Sequence, residues 1–385
     1  MKKIFLTTIT LLSMASASVF GMYGVDTDWI FFLTHGNQFR ARLDQLGFTL
    51  GNDTIKGTFG FDNNTGYGGA YGGLLVDNDP TGKHSSSWVP SISMGLGYTS
   101  SLISVGVGYN ATIGGHTQKF NGKLEPKTVN KSAHTPVLVL NAMDNAFRMA
   151  IPIQVYVNND KFEGGGYNNE MAVSVDSQFR YYTGLDALPQ VRLFLRYGLY
   201  QNESKADKDA KKEKQKYAES FGFDFRLYFG SMVEEVALQP LVKLAYNQAL
   251  GNYHQDTKVE AVKAMNGDYN SYQSGSYGGS VWDLQLMTGL GLTANSDIVS
   301  LYLEPQLGLA VTSRAPIVAT APGTLPQARV TTESYDLVYN VYAEIYITPL
   351  KNLEWYFEAQ LGSGANQNSL VFNGTTGITW YLPAL

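Results

Sequence analysis

IVSLYLEPQLGLAV, residues 298–311, alternates apolar side chains with polar or small ones. The odd positions 299, 301, 303, 307, 309 and 311 hold Val or Leu. The even positions from 300 to 308 hold Ser, Tyr, Glu, Gln and Gly. Successive side chains of a β-strand point to opposite faces. This segment therefore predicts a strand with one apolar face and one polar face.

The same alternation recurs along the chain, for example over 147–158, 191–200 and 353–361. Strands of soluble sandwiches centre on about 5–6 residues, whereas a tilted membrane-spanning strand needs about 9–11. The longer runs favour membrane-spanning strands. The predicted strands lie near 68–77, 89–99, 102–112, 134–142, 146–157, 170–182, 189–200, 218–229, 235–248, 281–294, 298–311, 333–347, 353–361 and 371–382. A further hairpin within 37–61 turns at Gly51-Asn52-Asp53.

The predicted connections alternate between short turns and long loops. The short turns lie at 100–101, 143–145, 184–188, 230–234, 295–297 and 348–352. The long loops lie at 78–88, 113–133, 158–169, 201–217, 249–280, 312–332 and 362–370. Outer-membrane barrels place short turns on the periplasmic side and long loops outside. We therefore predict an all-β transmembrane antiparallel β-barrel of about 16 strands, with 14 as the alternative if the 37–61 hairpin is excluded.

Three prolines lie inside predicted strands: Pro152, Pro240 and Pro305. Proline has no N–H to donate to a ladder, and a closed barrel offers no free edge. The sequence therefore predicts a local bulge at each of them.

The first 21 residues have the features of an export signal. Lys2 and Lys3 precede an apolar segment from Ile4 to Met14, and small residues follow. Cleavage is predicted after Gly21, with Ala17 as the alternative. Residues 22–385 then form a single barrel domain, in which 22–36 is a plug or a helix. The chain has no cysteine, which excludes lipid attachment, so the wall itself is expected to anchor the protein in outer-membrane lipid.

Charged side chains share the polar parity of the predicted strands. Because charge is costly on a lipid face, these side chains are expected to face the lumen. The candidate lumen-lining residues are Arg148, Arg180, Arg192, Arg196, Arg226, Asp224, Glu304, Glu344 and Glu358. Two interpretations stay open: a water-filled channel of mixed charge with weak ion selectivity, or salt bridges that brace the barrel. The net charge of −5 argues against nucleic acid as a partner.

No catalytic, cofactor or metal signature is present. The histidines at 35, 84, 116, 134 and 254 form no near pair, and all but His35 and His134 are predicted in loops. Asp77 to Gly82 resembles the start of a calcium loop but lacks its closing acid. The segment Glu203 to Glu219 has six lysines and five acids, which predicts a solvated outer loop or, alternatively, a short helix. We expect no enzyme activity, no cofactor and no metal centre.

The segment Met22 to Phe61, MYGVDTDWIFFLTHGNQFRARLDQLGFTLGNDTIKGTFGF, resembles the start of the variable surface proteins of Brachyspira spirochaetes. The resemblance implies an abundant, antigenically variable outer-membrane protein, exposed to host surfaces and antibodies. It leaves a homo-oligomer open and has no catalytic motif to carry over. A general diffusion porin with a weakly selective aqueous channel is the alternative function.

Overall fold

The computed structural model describes residues 38–41, 45–52, 54–63, 90–100, 102–116, 126–162, 164–233, 236–251, 281–314, 332–350, 353–363 and 370–380. The secondary structure of these residues is strands joined by turns. They contain no helix that is long and apolar enough to cross a membrane.

The strands are β1 (Gln38–Ala41), β2 (Gln45–Gly51), β3 (Ile55–Asn63), β4 (Pro90–Thr99), β5 (Ile103–His116), β6 (Pro126–Ala142), β7 (Phe147–Phe162), β8 (Tyr167–Tyr182), β9 (Gln190–Lys205), β10 (Glu213–Tyr228), β11 (Ser231–Val233), β12 (Val236–Ala249), β13 (Trp282–Asn295), β14 (Val299–Arg314), β15 (Thr332–Leu350), β16 (Leu353–Ser363) and β17 (Leu370–Trp380).

All strands belong to one antiparallel sheet in which neighbours in sequence are neighbours in space. Each pairs with the next along the chain, except that β10 and β11 both pair with β12. Tyr228 of β10 lies opposite Leu241, and Ser231 of β11 lies opposite Leu238, so β11 continues β10 along the same neighbour. Cα atoms of β1 and β17 come within 8 Å of each other.

The sheet has an apolar face that is exposed and a polar face that is buried. In β14, Leu307 and Leu309 are 54% and 61% exposed, whereas Glu304 and Gln306 are 5% and 6% exposed. This distribution is the reverse of that in a soluble protein, where charged side chains are seldom buried. The exposed apolar side is called the outer face below, and the buried polar side the inner face. The predicted division of IVSLYLEPQLGLAV into two faces is confirmed.

Strands β7 to β10 extend further than the sequence predicts, with 16 residues each. The predicted long loops 158–169 and 201–217 are therefore wrong, and the links are only 163–166 and 206–212. The strand ends are polar and lose the alternation that marks the central part. Ladder pairing with neighbouring strands, such as Asn159 with Asn169, nevertheless continues through them.

Two predictions at the N-terminal side need correction. The first strand of the hairpin predicted within 37–61 is two strands, because β1 and β2 are antiparallel and the chain reverses between Ala41 and Gln45. The strand predicted near 68–77 lies outside the described residues, and its expected place beside β4 is taken by β3, which pairs with β4 directly. The signal at 1–21, the plug at 22–36 and the loop at 78–88 also lie outside them.

The predicted bulges at the three prolines are wrong. Pro152 lies opposite Val137, Pro240 opposite Leu290 and Pro305 opposite Val341, without a register shift at any of them. A proline removes only one N–H, so a ladder bond is lost on one side while the register is kept by the rest of the strand. The described register shifts lie elsewhere, at 126/128, 216/218 and 347/350.

Candidate functional site

The inner face gathers basic residues into one row across five adjacent strands. Cross-strand partners run from Arg148 on β7 to Arg180 on β8, then to Arg192 on β9, Arg226 on β10 and Lys243 on β12. Directly opposed side chains of an antiparallel pair lie about 4.5–5.5 Å apart at Cβ. We call these five residues the basic row.

The position of the basic row is set by the short turns. Arg148 is the second residue of β7, and Arg192 is the third residue of β9. Arg180 and Arg226 are each two residues from the end of their strands. The row therefore lies just inside the rim that carries the short turns.

Like charges directly opposed across a ladder are destabilising, and Asp224 provides part of the compensation. Its side chain is 2% exposed and accepts hydrogen bonds from Nε and Nη2 of Arg226, both at 2.8 Å. Lys243 Nζ lies 3.7 Å from the same carboxylate. One buried acid thus serves the two cations at the β10–β12 end of the row.

A second acid reaches the row from a distant strand. Arg226 Nη1 lies 4.0 Å from Glu304 Oε1 of β14. Strand β14 is the third neighbour of β10, about 14 Å away along the sheet at the usual strand spacing. Side chains from the two strands therefore meet over the inner face, which requires that the sheet curve around them. Glu304 also accepts hydrogen bonds from Tyr302 and Gln306.

Aromatic rings cover the guanidinium groups of the row. The Arg192 guanidinium carbon lies 4.5 Å from the centre of the Tyr228 ring, and that of Arg226 lies 5.0 Å from the Phe194 ring. Both rings are buried, at 0% and 4% exposure. Cation–π contacts of this kind gain strength when they are shielded from water.

Four hydrogen-bond donors in or beside the basic row are buried and have no hydrogen-bond partner in the described part of the chain. They are Nε2 of Gln178, Nε2 of Gln190, Nε of Arg192 and the Tyr228 hydroxyl. Buried polar atoms in proteins are nearly always hydrogen-bonded, so each exception calls for an explanation.

The structure brings together six of the predicted lumen-lining residues, four in the basic row and two in contact with it. Arg148, Arg180, Arg192 and Arg226 lie in the basic row, and this alignment of like charges is not predicted by the sequence. Lys243 joins them. Asp224 and Glu304 contact Arg226, whereas Arg196 forms its own ion pair with Asp176 at 3.0 Å.

The last two predicted residues are on β15 and β16, outside the five strands that carry the basic row. Glu344 is 1% exposed on the inner face, where Tyr342 donates a hydrogen bond to it. Glu358 lies opposite Glu344 in the β15–β16 register.

One polar group on the outer face has no counterpart in the sequence predictions. His134 of β6 is hydrogen-bonded through Nδ1 to the Tyr109 hydroxyl at 2.5 Å, and through Nε2 to the Ser132 hydroxyl at 3.1 Å. The signal that would find it is the spacing of Ser132 and His134, which puts both on one face of a strand. His116, predicted in a loop, is the last residue of β5.

No group of three His, Asp or Glu side chains that could hold a metal ion occurs within the described ranges. His35, His84, His254 and the segment Asp77 to Gly82 lie outside them. The expected absence of a metal centre therefore stays a prediction.

The segment from Glu203 to Glu219 is neither a helix nor mainly a loop. It comprises the end of β9, the turn 206–212 and the start of β10. Lys212 Nζ lies 2.8 Å from Glu203 Oε1, and this hydrogen bond lowers the pKa of Glu203. Charge pairs across the strand ends thus replace the predicted solvated loop.

Comparison with known proteins gives one family match and several distant structural similarities. The copper transporter OprC shares 9% identity at a TM-score of 0.40 over 89% of this chain and 66% of that one. The translocator domain of the autotransporter NalP from Neisseria meningitidis shares 13% at 0.32, over 73% and 89%. CdiB from Acinetobacter baumannii shares 9% at 0.36, over 90% and 59%. The chain thus spans just under two thirds of OprC and 59% of CdiB.

No curated protein matches the chain. The Serpulina hyodysenteriae variable surface protein family matches residues 2–381, nearly the whole chain. This match confirms the resemblance found in the N-terminal 40 residues and extends it to the strands. The chain belongs to the variable surface protein family.

Proposed function

We propose that the chain forms a closed barrel in the outer membrane and displays its outer connections at the cell surface. The observation that carries the proposal is the reversed burial of the sheet. Large apolar side chains such as Leu309, Leu337 and Tyr335 are at least 60% exposed on the outer face, while charged ones are buried inside. In a membrane barrel the apolar outer face contacts lipid and the polar inner face is shielded from it.

Closure of the sheet is supported by its two ends. Strands β1 and β17 approach each other, and a spanning sheet in lipid has to leave no unpaired edge. With β11 taken as the continuation of β10, the described strands number sixteen, which is the number we propose for the barrel wall.

A display role accounts for the inner face better than an open channel does. Phe194, Tyr228, Leu241 and Met287 are at most 4% exposed there. Packed side chains of this size leave little room for water at the level of the basic row. We therefore propose a braced barrel whose function is surface display.

An epitope tag tests the display proposal. We expect a tag inserted after Asp207, in the 206–212 turn, to bind antibody on intact cells. The matched control is the same tag after Leu185, in the turn 183–189 on the opposite rim, which should bind only after permeabilisation. Antibody binding on intact cells only to the tag after Leu185 would show that the barrel has the opposite orientation in the membrane. Antibody binding at neither site on intact cells, with both sites positive after permeabilisation, would contradict surface display.

Conductance in planar bilayers separates display from the porin alternative. The basic row is the observation that favours a channel, because cations lining a lumen attract anions. The braced inner face predicts no regular conductance steps from the purified protein. Steps of hundreds of picosiemens, roughly the range of wide aqueous channels, would favour the porin.

A further inference from the structure

We propose that Ser132, His134 and Tyr109 form a serine hydrolase site on the outer face, which cleaves the carboxylic acyl esters of membrane glycerolipids. No enzyme activity is expected from the sequence, because a sequence does not show that the side chains of Ser132 and His134 meet. The inference adds an activity to a protein proposed for display. It rests on the proposed function in one respect, since Ser132 contacts lipid only if the outer face does.

The three side chains have the arrangement of a nucleophile, a base and a group that positions the base. Ser132 Oγ lies 3.1 Å from His134 Nε2, within reach for proton transfer. His134 Nδ1 lies 2.5 Å from the Tyr109 hydroxyl, and the two rings stack with their centroids 6.0 Å apart. When the imidazole carries its proton on Nδ1 and donates it to Tyr109, Nε2 is the acceptor for the Ser132 proton. Tyr109 is therefore a positioning residue.

The site is open to the membrane. Tyr109 is 37% exposed, and Ser132 and His134 are half-buried. Their strand neighbours Ala133 and Thr135 are 3% and 1% exposed on the inner face. Because side chains alternate along a strand, Ser132 and His134 project from the outer face. A lipid reaches them from the side and needs no cavity inside the barrel.

The depth of Ser132 in the membrane matches that of lipid acyl esters. Ser132 lies ten residues before Ala142, which ends β6 at the short-turn rim. At about 3.3 Å per residue and a tilt of about 40°, this separation is roughly 25 Å, the height of the apolar band of such barrels. The esters of glycerolipids lie at that boundary, where the hydrocarbon core meets the headgroups.

The composition of the outer face changes at the same level. Val157 of β7 lies opposite Ser132. The next two outer-face residues toward the long-loop side, Asn159 and Lys161, are polar and exposed. Toward the short-turn rim, Ile153 is apolar and 39% exposed. A lipid whose ester lies at Ser132 therefore has its acyl chain beside apolar residues and its headgroup beside polar ones.

The reaction has two balanced steps. Ser132 Oγ attacks the ester carbonyl carbon and gives its proton to His134 Nε2. The bond from that carbon to the lipid alcohol breaks as His134 passes the proton to the alcohol oxygen. Water then attacks the acyl-serine ester and gives a proton to His134, which returns it to Ser132 Oγ as the fatty acid leaves. Each water consumed yields one fatty acid and one lysolipid.

The test uses the folded full-length protein in phosphatidylcholine vesicles and measures the release of fatty acid. A long-chain alkyl fluorophosphonate, which bonds to an activated serine with loss of fluoride, identifies the nucleophile by mass spectrometry. We expect fatty acid release and an adduct on Ser132. S132A should abolish both. H134Q should lower the rate about 10²–10⁴-fold, the usual contribution of a general base.

The variant Y109F separates positioning from a structural role. It should lower kcat about tenfold or more with KM unchanged, because the imidazole loses the group that orients it. Heat-modifiable migration on gels shows whether each variant is folded. The matched control is T288A, which removes an outer-face hydroxyl of β13 that is hydrogen-bonded to the Leu307 carbonyl at 3.4 Å. T288A should keep full activity.

Three outcomes would overturn the proposal. They are no fatty acid release and no adduct from the unaltered chain, an adduct on a serine other than Ser132, and hydrolysis that survives in S132A. If S132A does not fold, H134Q keeps Ser132 and tests the same pair, and an undiminished adduct in H134Q would also overturn the proposal. Failure here leaves the display proposal standing, because that proposal is tested by antibody binding to intact cells.

Discussion

Asp224 is a buried acid of the inner face that lies against two cations. It accepts two hydrogen bonds from Arg226 and lies 3.7 Å from Lys243, with a side chain only 2% exposed. A buried ion pair adds little net stability by itself, but removing one partner leaves the other charge buried and uncompensated. The local fold therefore depends on this carboxylate more than on the exposed ion pairs.

We expect Asp224→Asn to lower the free energy of unfolding by about 3–5 kcal/mol. The amide keeps the shape of the side chain and loses the charge that faces Arg226 and Lys243. The measurement is urea unfolding in detergent, followed by the heat-modifiable migration of the folded barrel on gels. A loss below about 1 kcal/mol would show that other groups balance the two cations.

The matched control is Glu203→Gln at the outer strand end. Its ion pair with Lys212 is solvent-exposed, and screening makes such pairs weak. The unfolding midpoint should barely change. A loss as large as that of Asp224→Asn would contradict the distinction between buried and exposed pairs.

At the residue scale the sequence predicts which charges face inward but not which of them meet. Because charge is costly in lipid, Arg148, Arg180, Arg192 and Arg226 are predicted to lie on one face. Their alignment depends on cross-strand register, and the connections between the strands do not reveal it. The hydrogen bond between Ser132 and His134 is also not predicted, because the sequence shows that the two residues share a strand face but not that their side chains meet.

At the scale of elements, strands β7 to β10 are longer than a membrane requires. A tilted strand crosses with about 9–11 residues, and each of these has 16. The surplus residues lie toward the connections 163–166 and 206–212 and are polar. The sequence predicted the spanning parts from their alternation. It could not predict the extensions, because polar strand ends outside lipid have the composition of a loop.

Trypsin treatment of intact cells tests this extension. We expect cleavage after Lys208, Lys211 or Lys212, in the turn 206–212, and protection of Lys205 and Lys214, which lie in strands. Mass spectrometry of the fragments identifies the cut. The triple variant with Gln at the three turn lysines should lose cleavage in this region. Cleavage after Lys205 or Lys214 would mean that the strands end earlier.

Gly308 tests how closely β13 and β14 approach. A Cβ at this position would lie 2.1 Å from the backbone oxygen of Leu286 and 2.6 Å from the Cα of Met287. Because backbone cannot move aside as a flexible side chain does, Gly308→Ala should destabilise the barrel by about 1–3 kcal/mol in urea unfolding. The control Gly57→Ala has its nearest atom at 3.8 Å and should be near neutral. Equal effects would contradict the close approach.

At the scale of the whole molecule, reversed burial is the property that unites the sheet. The apolar parity of IVSLYLEPQLGLAV is exposed, and its polar parity is buried among aromatic rings and ion pairs. Alternation in the sequence was sufficient to predict the two faces. It was not sufficient to predict a packed inner face. Packing there includes contacts between strands that are three places apart in the sheet, such as that of Arg226 with Glu304, and alternation within one strand does not reveal them.

The most direct test of the central claim is a single-cysteine scan over 299–311 in lipid vesicles, which is feasible because the chain has no cysteine of its own. Each cysteine carries a nitroxide, and collisions with oxygen and with a water-soluble nickel reagent are measured by electron paramagnetic resonance. We expect high oxygen accessibility at 299, 301, 303, 307, 309 and 311, and low accessibility at the even positions between them. Loss of this alternation, or nickel accessibility at the odd positions, would contradict a lipid-facing outer surface.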